Sequence, residues 1–203
     1  MHTITLENRS YTPSKILCIG RNYVAHIEEL HNEIPAQPVI FIKPNSAISA
    51  QVHSHAEQVI HYEAEITLLI LGGRIAGVGF GLDLTKRDLQ ASLKRQGLPW
   101  ERAKAFDGAA VFSPFVPFDR DTADLRLELH INHRLVQAGG VALMLTKPAD
   151  ILAEVSKSFT LEDGDLIMTG TPKGVGPLVA GDHFRGKVFD GEQLLIEADW
   201  VVQ

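Results

Sequence analysis

The chain has 203 residues, 45% of them hydrophobic and 22% charged, a composition that can bury a full core and excludes intrinsic disorder. A formal charge of −6, with no compensating basic run, argues against nucleic-acid binding. The lone cysteine, Cys18, cannot form an intrachain disulfide, and no apolar run approaches the roughly 18 residues that a membrane span needs. We therefore expect one globular domain over residues 1–203, located in the cytoplasm, with no nucleic-acid or membrane partner.

Short alternating apolar runs, separated by glycine and proline, predict a chain made mostly of strands. In chain order the runs cover residues 15–19, 39–42, 63–71, 75–84, 125–131, 166–169, 183–188 and 194–202. Gly72-Gly73, between the third and fourth runs, predicts a two-residue hairpin because such turns require positive φ angles.

Three helices are predicted beside these strands. The first is a short segment over residues 23–30, and the second follows an N-cap at Thr85 and ends at Gly97. The third begins near Pro148, which suits the first turn of a helix, and continues to Phe159. The resulting class is mostly β (α+β), with a few peripheral helices.

Two glutamates begin the third strand run, in the sequence Tyr62-Glu63-Ala64-Glu65. Side chains at i and i+2 of a strand share a face, so Glu63 and Glu65 are expected side by side. Such neighbours repel each other unless a divalent cation binds between them. The alternative is a solvated outer face of an antiparallel strand.

A third carboxylate is expected near this pair. Asp83 ends the strand that returns after the Gly72-Gly73 turn, which places it alongside Glu63 and Glu65. Three carboxylates form the all-oxygen ligand set that Mg²⁺ or Mn²⁺ favours. Zinc is a weaker candidate, because His53, His55 and His61 have no cysteine partner.

Three other segments carry side chains suited to chemistry. In a helix, His26 and Glu29 are three residues apart and can form a hydrogen bond typical of a general base, or else lie on a solvated surface. Lys104 stands in an apolar stretch and can stabilise negative charge, or can form a surface ion pair. The small residues of the segment 169–176 either allow close approach to a ligand or form a plain loop.

Six motifs, in this order along the chain, resemble the fumarylacetoacetate hydrolase family, specifically its small single-domain members. They are Gly20-Arg21-Asn22-Tyr23-(x2)-His26-(x2)-Glu29, Phe41-Ile42-Lys43-Pro44, Tyr62-Glu63-x-Glu65, Asp83-(x3)-Arg87-Asp88-Leu89-Gln90, Trp100-(x3)-Lys104-x-Phe106-Asp107 and Gly164-Asp165-(x3)-Thr169-Gly170-Thr171-Pro172-x-Gly174-Val175-Gly176.

This resemblance implies a mixed β-roll or sandwich fold and a homodimer. It implies that Glu63, Glu65 and Asp83 bind Mg²⁺ or Mn²⁺, and that His26 and Glu29 act as the acid/base pair on a segment that orders over bound substrate. Lys104 would face the reacting oxyanion. The resemblance further implies substrate or nearby supporting contacts from Arg21, Lys43, Gln137 and Thr171.

The activity expected from this resemblance is metal-dependent hydrolysis of a 2,4-dioxo acid, an acylpyruvate, to pyruvate and a carboxylic acid. The same site would also serve the decarboxylation of oxaloacetate. One alternative is an isomerase or decarboxylase of a hydroxymuconate-like oxo-diacid. Another is a catalytically silent homodimeric binding protein. Leu82 departs from the family pattern, in which asparagine often precedes the metal-binding aspartate.

Overall fold

A computed structural model describes residues 1–55 and 58–203 of the chain. Its strands are β1 (Ile4–Leu6), β2 (Arg9–Tyr11), β3 (Lys15–Gly20), β4 (Val39–Pro44), β5 (Ile48–Ser49), β6 (Ile60–Tyr62), β7 (Ala64–Leu71), β8 (Arg74–Asp83), β9 (Thr85–Lys86), β10 (Ala110–Phe112), β11 (Val116–Pro117), β12 (Leu125–Ile131), β13 (Arg134–Gly140), β14 (Leu166–Met168), β15 (Gly176–Pro177), β16 (His183–Asp190) and β17 (Gln193–Val201). Its helices are α1 (Val24–Glu29), α2 (Arg87–Arg95), α3 (Glu101–Lys104) and α4 (Pro148–Val155).

The largest sheet has eight strands and curls into a half-barrel. Its order is β4-β3-β14-β7-β8-β10-β5, with β11 also paired to β8. A four-stranded sheet of order β13-β12-β16-β17 packs against β7 and β8, and two small sheets, β15-β6-β9 and β1-β2, complete the fold. With strands making up 43% of the chain, the predicted class, a mostly β fold with peripheral helices, is confirmed.

The main core lies between the eight-stranded and four-stranded sheets. Ile66, Leu68 and Phe80 are fully buried there. The Phe80 ring occupies the space above Gly186, where a Cβ atom would lie 2.5 Å from the ring. A second cluster, which includes Leu69, covers the other face of the large sheet. Strand β7 is therefore buried on both faces, so the carboxylates beside it are held in the interior.

All eight predicted strand runs are present, and none of their ends is shifted by more than two residues. The Gly72-Gly73 turn is confirmed, with φ values of 56° and 69° at the two glycines. Sequence patterning missed β13, because its glycines and its polar residues hide the alternation. It also missed the four-residue α3, which is too short to show helical periodicity.

The helices over residues 24–29 and from Pro148 are confirmed, although α4 ends at Val155 and not at Phe159, because residues 156–158 form a turn. The prediction that Thr85 caps the second helix is wrong. Thr85 is paired with His61 in the β6-β9 ladder, and α2 begins two residues later at Arg87. Lys86 is the N-cap residue, and the Thr85 hydroxyl donates to the Asp83 carbonyl at 3.3 Å, so it does not cap the first turn of the helix. The end of this helix is as predicted, since Gly97 has a φ of 64° just after it.

Among the described residues, no helix combines the length and apolar character needed to cross a membrane.

Candidate active site

The carboxylates of Glu63, Glu65 and Asp83 lie together at the end of the β7–β8 hairpin that is opposite the Gly72-Gly73 turn. Glu65 pairs with Gly81 in the ladder, and the Asp83 amide donates a hydrogen bond of 2.8 Å to the Glu63 carbonyl. One carboxylate oxygen from each residue lies within 4.8 Å of the other two. The register therefore brings together the three acids that the sequence singled out, and we call them the carboxylate triad.

The triad is buried, with 6% of Glu63, 2% of Glu65 and 1% of Asp83 exposed. A solvated strand face, the alternative interpretation of Glu63 and Glu65, is therefore wrong. Burial on both sides of β7 removes water from both carboxylates. Ionised groups persist in such a place only with cations or hydrogen-bond donors beside them.

Lysine and arginine side chains supply these cations. Lys104 Nζ donates to Glu63 Oε2 at 2.8 Å, to Asp83 Oδ2 at 2.7 Å and to Thr85 Oγ1 at 2.7 Å. Arg87 forms an ion pair with Glu63, and Lys43 Nζ lies 2.8 Å from Asp83 Oδ1. The alternative interpretation of Lys104 as a surface ion pair is wrong, because only 3% of Lys104 is exposed.

The surroundings shift the pKa values of the triad in opposite directions. Burial acts to raise the pKa of Glu63, but the charges of Lys104, Arg87 and His26 outweigh it and hold that pKa well below its ordinary value. Burial, together with the negative charges of Asp83 and Glu63, raises the pKa of Glu65 well above its ordinary value. Glu65 is thus the acid whose charge is least compensated.

The triad fits a hard divalent cation. All three donors are carboxylates, which Mg²⁺ and Mn²⁺ prefer. Asp83 Oδ1 is buried and has the Lys43 ammonium 2.8 Å away as its described partner, and a carboxylate oxygen with one such partner keeps a second lone pair for a cation. The raised pKa of Glu65 also favours a cation, since burial and the repulsion from Asp83 and Glu63 both oppose its ionisation and a cation within the triad would offset them.

The loop between β14 and β15 holds acidic side chains of the site. Gly170 N donates to Glu65 Oε2 at 2.7 Å, and Gly174 N donates to Glu29 Oε1 at 2.9 Å. Gly174 has a φ of 102°, and a Cβ atom there would lie 2.1 Å from the Val136 carbonyl oxygen. This loop is therefore more than a plain connection, because its backbone donors orient carboxylates.

His26 and Glu29 form the predicted pair on α1. His26 Nδ1 lies 3.0 Å from Glu29 Oε2, and His26 is 6% exposed, so the alternative of a solvated surface histidine is wrong. With Nδ1 engaged, Nε2 is the nitrogen left for a ligand. Because a carboxylate partner fixes the tautomer and the orientation of the ring, this arrangement suits proton transfer.

One pocket joins the pair to the triad. Its lining includes His26, Glu63 and Lys104, and also Arg21 on the segment between β3 and α1. Its volume is about 30 Å³, room for little more than a water molecule. His26 and one triad carboxylate, Glu63, thus face the same small space.

The four predicted substrate contacts differ in their surroundings. Arg21 lines the pocket, with a φ of 56° and a buried Nε atom that has no hydrogen-bond partner among the described residues. Lys43 is fully buried and contacts Asp83 and the Lys104 carbonyl. Gln137 donates to Thr171 Oγ1 at 2.9 Å, and Thr171 donates to the Ala64 carbonyl at 2.8 Å.

Lys43, Gln137 and Thr171 thus direct their polar atoms at protein groups around the triad. Their roles as substrate contacts stay predictions, as do the catalytic roles of His26, Glu29 and Lys104. Sequence reasoning did not assign a site role to Arg87, the partner of Glu63, although its position four residues after Asp83 in the fourth motif offered a signal.

Comparison with known proteins gives consistent results. Residues 15–201 match the family described as fumarylacetoacetate (FAA) hydrolase C-terminal. The chain is 40% identical over 202 residues to the oxaloacetate tautomerase YcgM of Escherichia coli, covering 91% of this chain and 92% of that protein.

Solved structures share the whole fold. A chain from Oleispira antarctica has a TM-score of 0.95 and 41% identity, with 100% of both chains covered. The fumarylpyruvate hydrolase of Pseudomonas aeruginosa, solved with Mn²⁺ and pyruvate, has a TM-score of 0.88 and 28% identity, covering 99% of this chain and 95% of that one. The motifs, the curled sheet and these matches agree, and the chain belongs to the fumarylacetoacetate hydrolase family.

Proposed function

We propose that the protein is a metal-dependent enzyme that interconverts the enol and keto forms of oxaloacetate. The observation that carries this proposal is a pocket lined by His26, the histidine of the His26–Glu29 pair, and by Glu63, one carboxylate of the triad. Tautomerisation needs a base that moves a proton at C3 and a site that accommodates the charge developing at the 2-oxo group. The name of the 40% identical relative from Escherichia coli supports the choice of substrate.

Each part of the site has a role in this proposal. Glu63, Glu65 and Asp83 would hold Mg²⁺ or Mn²⁺, which when bound supplies a Lewis acid for the 2-oxo oxygen. His26 Nε2 would remove the C3 proton from the keto form while the 2-oxygen gains a proton from water. In the reverse direction it would deliver a proton to C3 of the enol form while the 2-hydroxyl loses its proton to water. Glu29, held by Gly174 N, would keep the imidazole in the tautomer that this transfer requires.

A second candidate is the hydrolysis of an acylpyruvate, supported by the structural match to a fumarylpyruvate hydrolase. Here His26 and Glu29 would activate water for attack on the 4-carbonyl, and breaking of the C3–C4 bond would give pyruvate and a carboxylic acid. Lys104 would stabilise the tetrahedral oxyanion. All three of its N–H donors are already used by Glu63, Asp83 and Thr85, so hydrolysis requires Lys104 to release one of them. Tautomerisation has no such requirement, which is why we place it first.

Substrate entry requires a movement in either case. A four-carbon diacid does not fit in about 30 Å³, so one wall of the pocket must shift. We assign this movement to α1, a helix of six residues that carries His26 and Glu29. We retain the homodimer and the cytoplasmic location as further predictions.

A substrate panel tests the proposal. Purified protein is incubated with Mg²⁺ and separately with enol oxaloacetate, keto oxaloacetate, acetylpyruvate and a hydroxymuconate diacid, each with and without a chelator. We expect ketonisation of enol oxaloacetate, followed by its ultraviolet absorbance, to exceed every other reaction and to stop on chelation. Turnover that survives complete chelation would contradict the metal requirement.

The other reactions in the panel separate the candidates. Faster release of pyruvate from acetylpyruvate would promote hydrolysis to the main activity, and carbon dioxide release from keto oxaloacetate would indicate decarboxylation. Isomerisation of the hydroxymuconate diacid alone would make the protein a catabolic isomerase. If no substrate is turned over, the alternative of a catalytically silent binding protein is favoured.

A further inference from the structure

The pocket of the candidate active site also contains Lys94, a residue of α2 for which neither the motifs nor the proposed reaction gives a role. Its Nζ atom lies 5.2 Å from the centre of the Trp100 ring and donates a hydrogen bond of 3.3 Å to Asn32 Oδ1. These contacts hold a cationic group at the pocket wall. They involve no carboxylate.

Positive charge in this pocket exceeds what the triad neutralises. The ion pairs of Glu63 and Asp83 use Lys43, Arg87 and Lys104. In the described part of the chain, Arg21 and Lys94 take part in no ion pair, although both line the pocket. An anion is therefore the ligand that this wall of the pocket would attract.

Unused hydrogen-bond donors point to the same ligand class. The Nε atoms of Arg21 and Arg87 are buried and find no acceptor among the described residues. Buried donors without acceptors are costly, and a ligand that accepts from them removes this cost. A carboxylate suits guanidinium and ammonium donors better than a neutral group does.

The positions of Lys94 and Lys104 indicate which end of a ligand each lysine would face. Lys104 Nζ lies 5.0 Å from the centre of the Phe41 ring, just as Lys94 lies over Trp100, and the two ring centres are 6.0 Å apart. Each ammonium group thus lies over one of two neighbouring aromatic rings. Lys104 touches the triad and Lys94 does not, so Lys94 faces the part of a ligand that extends away from the metal-binding end.

The charge state of Lys94 agrees with this arrangement. Burial, with the nearby charges of Arg21 and Arg87, lowers the pKa of Lys94 to about 8. The ammonium is therefore held among like charges, which a bound anion would offset. From the packing, the unpaired charges and the unused donors, we propose that Lys94 binds the distal carboxylate of a dicarboxylic 2-oxo acid and selects diacids over monoacids.

This inference rests on the proposed function for the orientation of the ligand, with the 2-oxo group at the triad. A purely structural role is the competing explanation, since the bond from Lys94 to Asn32 ties α2 to the chain after α1. Removing either partner would break such a tie. Only removal of Lys94 would change the preference for a second carboxylate.

Binding of two inert acids tests the inference without depending on turnover. Malate and lactate both offer a 2-hydroxy acid to the triad, but only malate has a distal carboxylate. Isothermal titration with the Mg²⁺-loaded protein would compare Lys94→Met with Lys94→Arg, which keeps the charge. Asn32→Ala removes only the tie, and Arg95→Met removes an exposed charge one residue further along α2.

We expect Lys94→Met to weaken malate binding about tenfold or more, the loss typical of a hydrogen bond to a charged group, and to change lactate binding less than about twofold. Lys94→Arg should restore most of the malate affinity, and the other two variants should resemble the wild type. Equal losses for malate and lactate, or the same loss in Asn32→Ala, would overturn the inference, as would a wild type that binds both acids equally.

The failure of the proposed function is a separate outcome. If the wild type does not act on oxaloacetate but Lys94→Met still loses malate selectively, the proposed reaction is wrong and Lys94 remains a diacid contact. If the wild type ketonises oxaloacetate and Lys94→Met keeps the KM of the wild type for it, the proposed reaction stands and the role of Lys94 is wrong.

Discussion

The two halves of the candidate active site are built differently. Glu65 and Asp83 lie in the paired strands β7 and β8, and Glu63 directly precedes β7, bonded through its carbonyl to the Asp83 amide. His26, in contrast, lies on a helix of six residues. Its partner Glu29 is tied to the rest of the site through the amide of Gly174. We call these the carboxylate half and the proton-transfer half.

Under the proposed function, this difference in construction would assign each half its own task. Moving a triad carboxylate means breaking a ladder that is buried on both faces, so the negative charge would stay in place for a cation. Moving α1 would break few hydrogen bonds, so we expect α1 and His26 to make the movement that admits substrate. Substitutions in one half therefore test whether the other half depends on it.

Glu65→Gln should have the largest effect, because it removes a triad charge while keeping the shape and the acceptor for Gly170 N. We expect activity to fall by about 10⁴-fold or more, since loss of even an outer partner of a metal ligand costs about 10- to 100-fold. Titration with Mn²⁺ would show the accompanying loss of metal affinity.

In the metal-free protein, Glu65→Gln should increase the free energy of unfolding even though it lowers activity. The folded-state pKa of Glu65 is raised, so its contribution to stability is present below its unfolded pKa and is lost as pH rises through the folded value. Gln cannot ionise, so at pH values above the folded-state pKa of Glu65 the variant should be more stable than the wild type by about 1 to 3 kcal/mol. Thermal denaturation across pH tests this, and a variant less stable than wild type at neutral pH would contradict it.

His26→Ala should affect the proton-transfer half alone. Loss of a general base costs about 10² to 10⁴ in rate, so we expect kcat to fall by about 10³-fold while Mn²⁺ affinity and melting temperature stay at wild-type values. Glu29→Gln is the matched control, which should retain more activity because the imidazole remains. A large loss of metal affinity in His26→Ala would show that the two halves are not separable.

Lys104→Met affects both halves, because Lys104 contacts the carboxylate half and also lines the pocket that His26 faces. Removing an oxyanion-stabilising contact costs about 10² to 10³ in rate, so acylpyruvate hydrolysis should fall by about 10²-fold, and tautomerisation should fall less. Metal-free protein should lose stability, since Glu63 and Asp83 lose a buried partner. Added Mg²⁺ should restore the melting temperature, and a loss that Mg²⁺ does not reverse would contradict the metal fit.

Gly174→Ala tests the backbone bond that orients Glu29. A Cβ atom there meets the Val136 carbonyl oxygen at 2.1 Å, and the φ of 102° disfavours any L side chain. The loop must shift, and we expect kcat to fall about tenfold while Mn²⁺ affinity is unchanged. Gly181→Ala, at another positive φ but with open space around it, is the matched control for backbone strain. Equal losses of kcat in both variants would show that backbone strain alone lowers activity and that the bond from Gly174 to Glu29 has no specific role.

The carboxylate half could be predicted from the sequence because its cause is local. Alternation placed Glu63 and Glu65 on one face, and the Gly72-Gly73 turn brought Asp83 back beside them. The same reasoning failed at Thr85, because the capping pattern carries no information about the β6-β9 ladder that holds this residue extended. Strand β13 and helix α3 were missed for a related reason, since tertiary contacts hold them in place.

The proton-transfer half could be predicted only in part. The i, i+3 spacing gave the contact between His26 and Glu29, but nothing local linked Glu29 to Gly174, which lies 145 residues away. The pairing of Lys104 with the triad, and the presence of Lys94 in the pocket, also depend on contacts between distant segments. Long-range partners of charged side chains have no signature in a single sequence, and the family resemblance supplied roles only for positions within its motifs.

The smallest predicted effect concerns pH and the wall of the pocket formed by α2. Lys94, with its pKa lowered to about 8 by burial and by Arg21 and Arg87, is cationic below that pH and neutral above it. Oxaloacetate is a dianion throughout, so its KM should rise by a few-fold between about pH 7.5 and 9 as the ammonium is lost. Glu63, Lys104 and His26 share the pocket, so the wild-type profile alone is not decisive. The difference from Lys94→Met isolates Lys94: the variant should lack this rise, because methionine does not titrate. If the two KM profiles run parallel across this range, the titrating group lies elsewhere, and the α2 wall contributes packing and not charge.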